Sequence, residues 1–193
     1  MKANLNLDKE TWHPSPLIGQ IVLVTTLNAD GTSNIAPKSW ISMMAFEPPI
    51  LALGCNVQHW TGRNILERGE FVVNVPGAEL AETVWRACDL PHPVEAAGLT
   101  PVPSLKVRPP RVEECHAHLE CVLDRHLTYG DELVLFGRIV AVSLDAEALS
   151  ADDPYAYLRM FAFLEDGMYG VIERAQQLSQ SSGDRVKVSA VAM

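Results

Sequence analysis

The stretch VTTLNADGTSNIAPKSW, from Val24 to Trp40, predicts a β-hairpin with an unusually polar second arm. A β-branched run ends at Asp30-Gly31, a dipeptide that favours a tight turn between antiparallel strands. The polar residues of the second arm are Ser33, Asn34, Lys38 and Ser39. Because strand side chains alternate, Asn34, Ala36 and Lys38 should share one face. This face suits a flat polar ligand with negative charge near Lys38; a solvent-facing edge strand would show the same pattern.

Composition limits the classes of function. The chain has 193 residues, of which 48% are hydrophobic, so we expect one domain over residues 1–193 with a real core. Its formal net charge of −9 and lack of a dense basic cluster argue against nucleic-acid binding. No apolar run reaches the about 18 residues that a membrane helix needs, and no run resembles a signal peptide. We therefore expect a cytoplasmic protein with reduced cysteines.

Short β-rich runs separated by Gly, Pro and Asp predict a mainly β fold, a barrel with a few short helices. The predicted strands cover residues 19–27, 41–46, 50–56, 71–76, 116–127 and 131–145. Helices are expected over residues 61–69 and 78–90. Six prolines between Pro91 and Pro110 predict an irregular segment, and a flexible tail is expected from about residue 175.

The start of the first predicted helix is a candidate phosphate site. Thr61 is a good N-cap residue, and the helix would then begin at Gly62. A helix start presents backbone N–H groups and the positive end of the helix dipole. The Thr61 hydroxyl and the Arg63 guanidinium would add donors for one phosphate. An ordinary capped helix with a solvated Arg63 is the alternative.

Other chemistry-bearing residues form weaker patterns. His116 and His118 would share a strand face and could bind a metal, but no third ligand follows at a telling spacing. Cys115 and Cys121 would lie on the opposite face as apolar packing residues. His126 could donate a proton, although a hydrogen-bonded surface histidine is the commoner reading of such a position.

Taken in order, these features resemble the flavin reductase-like, FMN-binding split-barrel family, especially its flavoredoxin-like branch. The matching segments cover roughly residues 15 to 145, and they are VTTLNADGTSNIAPKSW, HWTGRNI, GEFVVNVP, GLTPVPS, PPRVEECHAHLEC and LVLFGRIVAV. The resemblance implies a homodimer of split barrels that binds one FMN per protomer at or near the dimer interface.

The resemblance also implies a set of cofactor-binding residues. By position in the motifs these are Thr25, Thr26, Asn34, Ala36, Lys38, Ser39, Trp40, Thr61, Arg63 and Arg108. Asn34 and Ala36 would meet the isoalloxazine or ribityl part, and Thr61 and Arg63 would hold the 5′-phosphate. Lys38, Ser39 and Trp40 would line the pocket, Thr25 and Thr26 would bring the first strand alongside, and Arg108 would add a further basic contact.

The activity that the resemblance implies is NAD(P)H-dependent flavin reduction, or flavoredoxin-like electron transfer to an acceptor that the sequence does not name. The alternatives are a non-catalytic FMN-binding or storage module and a metal-binding barrel that uses His116 and His118. Two departures from the family lie on the substrate side. Ser143 stands where relatives often have histidine, and residues 160–163 replace a glycine-rich segment, so Phe161 or Phe163 could cover the flavin.

Overall fold

The hairpin that opens the fold forms between β1 (Val22–Leu27) and β2 (Ser33–Lys38), which pair antiparallel. The Asn28 N–H donates to the Thr32 carbonyl at 2.9 Å, and Gly31 takes a left-handed conformation with φ of 86°. Glycine adopts this conformation without the steric penalty that a Cβ would cause. The computed structural model describes residues 17–87, 93–164, 167–174 and 176.

The remaining elements are strands of two to thirteen residues and a few short helices. They are β3 (Ile41–Phe46), β4 (Pro49–Asn56), α1 (Trp60–Arg68), β5 (Glu70–Val75), α2 (Ala81–Arg86), β6 (Pro101–Val102), β7 (Arg111–Val112), β8 (Ala117–Tyr129), β9 (Glu132–Leu144), α3 (Ala146–Ser150), α4 (Pro154–Leu158), β10 (Phe161–Phe163) and β11 (Tyr169–Val171). Short 3₁₀ turns cover Ala78–Leu80 and Val94–Ala97.

One seven-stranded sheet builds the barrel, in the order β2-β1-β5-β8-β9-β4-β3. Strands β1 and β4 are far apart in this order, yet their side chains share one buried cluster, so the sheet curls around that cluster. Within the described residues no strand pairing joins β2 to β3, which leaves the barrel split between its two end strands. This is the mainly β split barrel with short helices that the sequence predicted.

Two apolar clusters lie on opposite faces of β1. The interior cluster fills the barrel, and its buried members include Val22, Val24, Leu53, Cys55, Ile65, Phe71, Cys121 and Leu135. The outer cluster lies between the sheet and the segments that follow β5, and its buried members include Leu23, Ile35, Val84, Val94, Val112, Cys115 and Phe161. Alternation along β1 therefore separates even-numbered residues, which face inward, from odd-numbered ones.

The structure changes two details of the sequence reading. Helix α2 ends at Arg86 and follows a 3₁₀ turn, so the predicted three-turn helix is shorter within the described residues. Cys115 and Cys121 do not share a face, because β8 begins only at Ala117 and Cys115 is buried in the outer cluster. Cys88 and the predicted tail, apart from residue 176, lie outside the described residues.

The irregular segment before β7 is attached to the sheet by a buried carboxylate. Glu120 is 1% exposed and accepts backbone hydrogen bonds from Leu105 at 2.7 Å and Lys106 at 2.6 Å. A carboxylate with two amide donors stabilises a loop that has little regular structure of its own. Among the described helices, none is long and apolar enough to cross a membrane.

Candidate functional site

A cleft of about 350 Å³ opens where the end of β2 meets β4 and the start of α1. This volume lies at the lower end of the range for small-molecule sites, about 300–1,000 Å³. The residues that line the cleft are Pro37, Lys38, Ser39, Trp40, Gly54, Cys55, Asn56, His59 and Glu132. The structure therefore brings Lys38, Ser39 and Trp40, three of the residues predicted from the sequence, into one concave site.

Trp40 forms an aromatic wall that stands directly on the backbone of β4. Its carbonyl accepts a hydrogen bond from the Gly54 N–H at 2.7 Å. A Cβ added at Gly54 would lie 2.9 Å from both Cβ and Cε3 of Trp40, so only glycine allows this approach. The indole remains 63% exposed and offers a flat surface at the edge of the cleft.

The start of α1 lies two residues earlier than the sequence predicted. The N-cap residue is His59, and no side chain caps this end of the helix within the described residues. Thr61 is therefore inside the first turn, and the prediction that it is the N-cap is wrong. Its side chain is buried, and its Oγ1 has no hydrogen-bond partner in the described structure. A buried hydroxyl without a partner costs about 1–3 kcal/mol, so a ligand atom that pairs with Thr61 would be favoured.

His59 lies between the cation of Lys38 and the thiol of Cys55. Its Nδ1 is 3.5 Å from Lys38 Nζ and 3.8 Å from Cys55 Sγ. Burial lowers the pKa of His59, and the positive charge of Lys38 lowers it further, while Glu132 opposes the shift. Burial also raises the pKa of the Cys55 thiol, an effect that Lys38 partly offsets. At neutral pH the site therefore holds a neutral imidazole and a protonated thiol beside one ammonium group.

Glu132 and Asn56 close the opposite side of the cleft. The Asn56 amide donates to Glu132 Oε1 at 3.1 Å, and its Oδ1 accepts from the Gln58 N–H at 3.0 Å. The His59 N–H donates to the Asn56 carbonyl at 3.0 Å. These bonds fix the turn between β4 and α1, so the position of His59 is set by the backbone rather than by a mobile loop.

Asn34 and Thr26 lie behind the cleft in a buried polar network. Thr26 Oγ1 accepts hydrogen bonds from the Asn34 amide at 3.3 Å and the Asn64 amide at 3.0 Å, and Asn64 also donates to Asn28 Oδ1 at 2.9 Å. Asn34 is only 3% exposed. Asn34 therefore joins β2 to β1 through Thr26, whereas Asn64 joins α1 to the hairpin. The Asn34 side chain is not open to the cleft, although Ala36 and Lys38 lie on the same face of β2.

Three other predicted residues lie away from the cleft. Thr25 is on the outer face of β1, where its hydroxyl donates to the Pro110 carbonyl. The Arg63 guanidinium is on the exposed side of α1, 5.6 Å from the centre of the Trp60 ring, so it does not meet the buried Thr61 hydroxyl. Arg108 forms an ion pair with Glu70. It lies at the C-terminal end of α1.

The two histidines that the sequence offered as metal ligands, His116 and His118, also lie away from the cleft. His116 contacts Asp145 at 2.7 Å and Glu79 at 3.0 Å, whereas His118 contacts Ser143 at 3.1 Å and the Val112 carbonyl at 2.8 Å. Their different partners leave no shared ligand position, and the described chain holds no group of three or more metal-ligating residues.

The residues that differ from the family pattern, Phe161, Phe163 and Ser143, do not reach the cleft, and neither does His126. Phe161 is buried in the outer cluster, where its ring contacts Phe163 and Tyr169. Ser143 lies at the opposite end of β9 from Glu132. His126 is exposed on β8. None of these side chains lines the cleft described above.

The sequence reasoning missed six of the nine residues that line the cleft; besides Pro37 and Gly54 these are Cys55, Asn56, His59 and Glu132. A signal for one of them was present, because His59 directly precedes the helix that the sequence placed at the phosphate site. Glu132 could not be found locally, since it comes from the far side of the β8–β9 hairpin and reaches Asn56 across 76 residues of chain.

Comparisons with known proteins agree with this architecture. An uncharacterised protein of Bacillus subtilis, YwrF, is 33% identical over 149 residues, which cover 70% of this chain and 73% of that protein. Flavoredoxin of Desulfovibrio vulgaris has the same fold, with a TM-score of 0.78, 23% identity, and coverage of 92% of this chain and 100% of that one. An FMN-binding protein of Thermus thermophilus with bound p-hydroxybenzaldehyde gives 0.75, with 17% identity and coverage of 92% and 99%. Residues 15–162 match the model of the flavin reductase like domain, and the chain belongs to that family.

Proposed function

We propose that this protein is a cytoplasmic, FMN-binding oxidoreductase. It would act as an NAD(P)H-dependent flavin reductase or as a flavoredoxin-like electron carrier, with FMN bound in the cleft at the start of α1. The family supports an oxidoreductase with a flavin, and the Thermus thermophilus protein of the same fold binds FMN. Cys55, Cys115 and Cys121 are free thiols, which supports a reducing compartment.

The observation that carries the proposal is the set of donors gathered at one end of the cleft. Lys38 lines the cleft and supplies a cation, and the adjoining first turn of α1 has backbone N–H groups without a capping side chain. Thr61 in that turn adds a hydroxyl without a partner among the described residues; it is buried behind the residues that line the cleft. One terminal phosphate at the helix start would accept hydrogen bonds from such donors. The Trp40 indole beside them offers a flat apolar surface for an aromatic ring.

Bound FMN would supply the two-electron redox chemistry, and the chain would supply binding and electrostatics. Lys38 would neutralise negative charge on the cofactor, and Trp40 would position its planar part. The neutral His59 and the protonated Cys55 thiol would provide hydrogen-bonding groups without a second positive charge. Cys55 Sγ lies 3.8 Å from His59 Nδ1, but the proposed chemistry requires no covalent step at that thiol.

A homodimer is part of the proposal, and the exposed surface beside the cleft supports it. The edge strand β3 exposes Met43, Met44 and Phe46 at 44%, 51% and 87%, next to the half-exposed Trp40. An edge strand with large apolar side chains in water invites association, and a two-fold pair is the commonest closed assembly. Light scattering should give twice the 21.2 kDa mass of one chain at micromolar concentration.

The decisive experiment is an anaerobic titration of protein purified without added flavin and then loaded with FMN. Addition of NADH or NADPH should bleach the flavin absorbance rapidly if the protein is a reductase. Slow bleaching of a loaded protein would favour the carrier or the non-catalytic FMN module. A protein that stays colourless after incubation with FMN would contradict the whole proposal.

A further inference from the structure

We propose that Lys38 holds neutral His59 in its Nε2–H tautomer, so that His59 presents a fixed donor to the phosphate of the bound ligand. The inference rests on the proposed FMN site and adds a positioning role for Lys38, which then acts through His59 as well as through its own charge. His59 then serves as a hydrogen-bond donor to the phosphate, in addition to being the residue that precedes α1.

The tautomer follows from what faces each ring nitrogen. A lysine ammonium has three donors and no acceptor, so an N–H on Nδ1 would point at another donor 3.5 Å away. The Cys55 thiol, 3.8 Å from the same Nδ1, donates its single proton to the Asn56 carbonyl at 3.5 Å, and its sulfur is only a weak acceptor for an N–H on Nδ1. The Lys38 ammonium therefore decides the tautomer, and it requires a lone pair on Nδ1. The single proton of a neutral imidazole must then reside on Nε2.

The other ring nitrogen is available to a ligand. His59 lines the cleft, and no hydrogen bond joins its Nε2 to any residue that the structure describes. The backbone holds the residue in place, because its N–H donates to the Asn56 carbonyl and its carbonyl accepts from the Arg63 N–H at 3.2 Å. An Nε2–H in this position is a preorganised donor beside the Lys38 cation and the start of α1.

The charged groups around the ring keep it neutral. Lys38 on β2 disfavours a second positive charge, Glu132 on β9 opposes this effect weakly, and Asn56 and Cys55 on β4 are uncharged. The donor at Nε2 therefore persists as pH rises through 6.5, the ordinary pKa of a histidine, where a cationic histidine would lose its charge. Phosphate binding by His59 should consequently depend on a hydrogen bond and not on imidazolium charge.

The tautomer is tested first, on the ligand-free chain, by nitrogen-15 NMR of labelled histidines with His59→Gln used for assignment. The expected spectrum shows a protonated Nε2 and an unprotonated Nδ1. Lys38→Met should shift the ring towards a mixture of tautomers, and Lys38→Arg should restore the original spectrum. A protonated Nδ1 in the unaltered chain, or no response to Lys38→Met, would overturn the inference whether or not FMN binds.

The donor role of His59 is tested by two variants, one that keeps a polar group near Nε2 and one that keeps a polar group near Nδ1. Glutamine places an amide N–H near the position of Nε2, whereas asparagine keeps only a group near Nδ1. We expect His59→Gln to bind FMN within about three-fold of the unaltered chain and His59→Asn to bind about ten-fold more weakly. Riboflavin, which lacks the phosphate, should respond little to either change. Equal losses in the two variants would overturn the donor role, while failure of the unaltered chain to bind FMN would overturn the proposed function instead.

Discussion

The two ends of α1 carry similar groups but differ in what those groups meet. At the C-terminal end, Gly69 donates its N–H to the Ile65 carbonyl at 2.9 Å, and Arg108 donates to Glu70 at 2.8 Å. At the N-terminal end, no side chain caps the helix, and the buried Thr61 hydroxyl has no partner in the described structure. Buried Arg68 Nε also lacks a partner among the described residues at the C-terminal end, but the helix there has a backbone cap and a carboxylate, Glu70, beside it. The N-terminal end combines an uncapped first turn with the unpaired Thr61 hydroxyl.

Electrostatics makes this difference larger. A cation at a helix C-terminus is favourable, because it faces the negative end of the dipole, and Arg108 has that position. Lys38 instead places a positive charge near the positive end of the same helix, so an anion bound there would interact favourably with both. The comparison therefore identifies a ligand site by the uncapped first turn, the unpaired Thr61 hydroxyl and the nearby cation. A count of basic residues in the sequence gives Lys38 and Arg108 equal weight and misses this distinction.

The largest expected effect is on FMN affinity, when Lys38 at one end of α1 and Arg108 at the other are replaced in turn. Lys38→Met should weaken FMN binding by roughly ten- to a hundred-fold, the range expected for a lost charge-assisted hydrogen bond. Arg108→Met should change the dissociation constant by less than about three-fold, because an exposed ion pair far from the cleft contributes little. Flavin fluorescence titrations of both variants measure the two effects. A larger loss with Arg108→Met than with Lys38→Met would reverse the assignment of the two helix ends.

The next effect concerns the aromatic wall of the N-terminal site. Gly54→Ala should displace Trp40, since the new Cβ would lie 2.9 Å from two of its atoms. Overpacking of this kind typically costs about 1–3 kcal/mol of folding stability. Because the displaced indole would no longer offer its flat surface to the ligand, we also expect about a ten-fold loss of affinity for FMN and riboflavin alike. Gly170→Ala is the matched control, because no atom lies within 4 Å of a Cβ at that position. Similar losses in both glycine variants would mean that Trp40 does not contact the flavin.

Removal of the Thr61 hydroxyl should have a smaller effect, with opposite signs for stability and for FMN affinity. Thr61→Val keeps the side-chain shape but removes the hydroxyl that lacks a partner. We expect the free energy of unfolding of ligand-free protein to rise by about 1 kcal/mol, because a buried unsatisfied group is lost. The affinity for FMN should fall about five-fold, because the ligand loses a hydrogen bond. Thermal unfolding with and without FMN measures both changes. A variant that loses stability without ligand would indicate that Thr61 has a structural partner.

The sequence predicted the barrel well because its signals are local. The Asp30-Gly31 turn, the β-branched runs and the proline-rich segment each act within a few residues, and the structure confirms the elements they indicate. Lys38, Ser39 and Trp40 could be predicted as neighbours for the same reason, since they are consecutive on one arm.

The predicted residues that lie away from the cleft, and the cleft residues that were missed, are those whose positions depend on distant segments. Arg108 was expected at the cofactor, but its partner Glu70 is 38 residues away and is brought near by the path of an irregular segment. Asn34 was expected to face a ligand, but it is buried and donates to Thr26, which also accepts from Asn64 of α1. His59 was missed because its value as a donor depends on Lys38, 21 residues away in sequence. Such pairings follow from the closed sheet and not from any local pattern.

The smallest expected effect is a difference in alkylation between two buried cysteines, one that lines the cleft and one in the barrel interior. Cys55 and Cys121 both belong to the interior cluster, but Cys55 also lines the cleft, and burial raises the pKa of both thiols above the ordinary value of 9.0. Alkylation requires the thiolate, so at neutral pH both should react more slowly than an ordinary free thiol. The rate at Cys55 should increase as pH approaches its raised pKa, because the thiolate fraction grows.

Only access to the reagent then distinguishes the two thiols. Cys55 should be alkylated slowly in ligand-free protein and protected by FMN, whereas Cys121 should react only when the protein unfolds. Peptide mass spectrometry after timed exposure to iodoacetamide measures both, and Cys55→Ala identifies the protected signal. Because the thiol supplies no essential proton or electron pair in the proposed chemistry, Cys55→Ala should keep the rate of FMN reduction within about three-fold, less than one typical hydrogen bond. FMN protection of Cys121 but not of Cys55 would place the ligand away from the N-terminal end of α1, and the comparison of the two helix ends would lose its functional meaning.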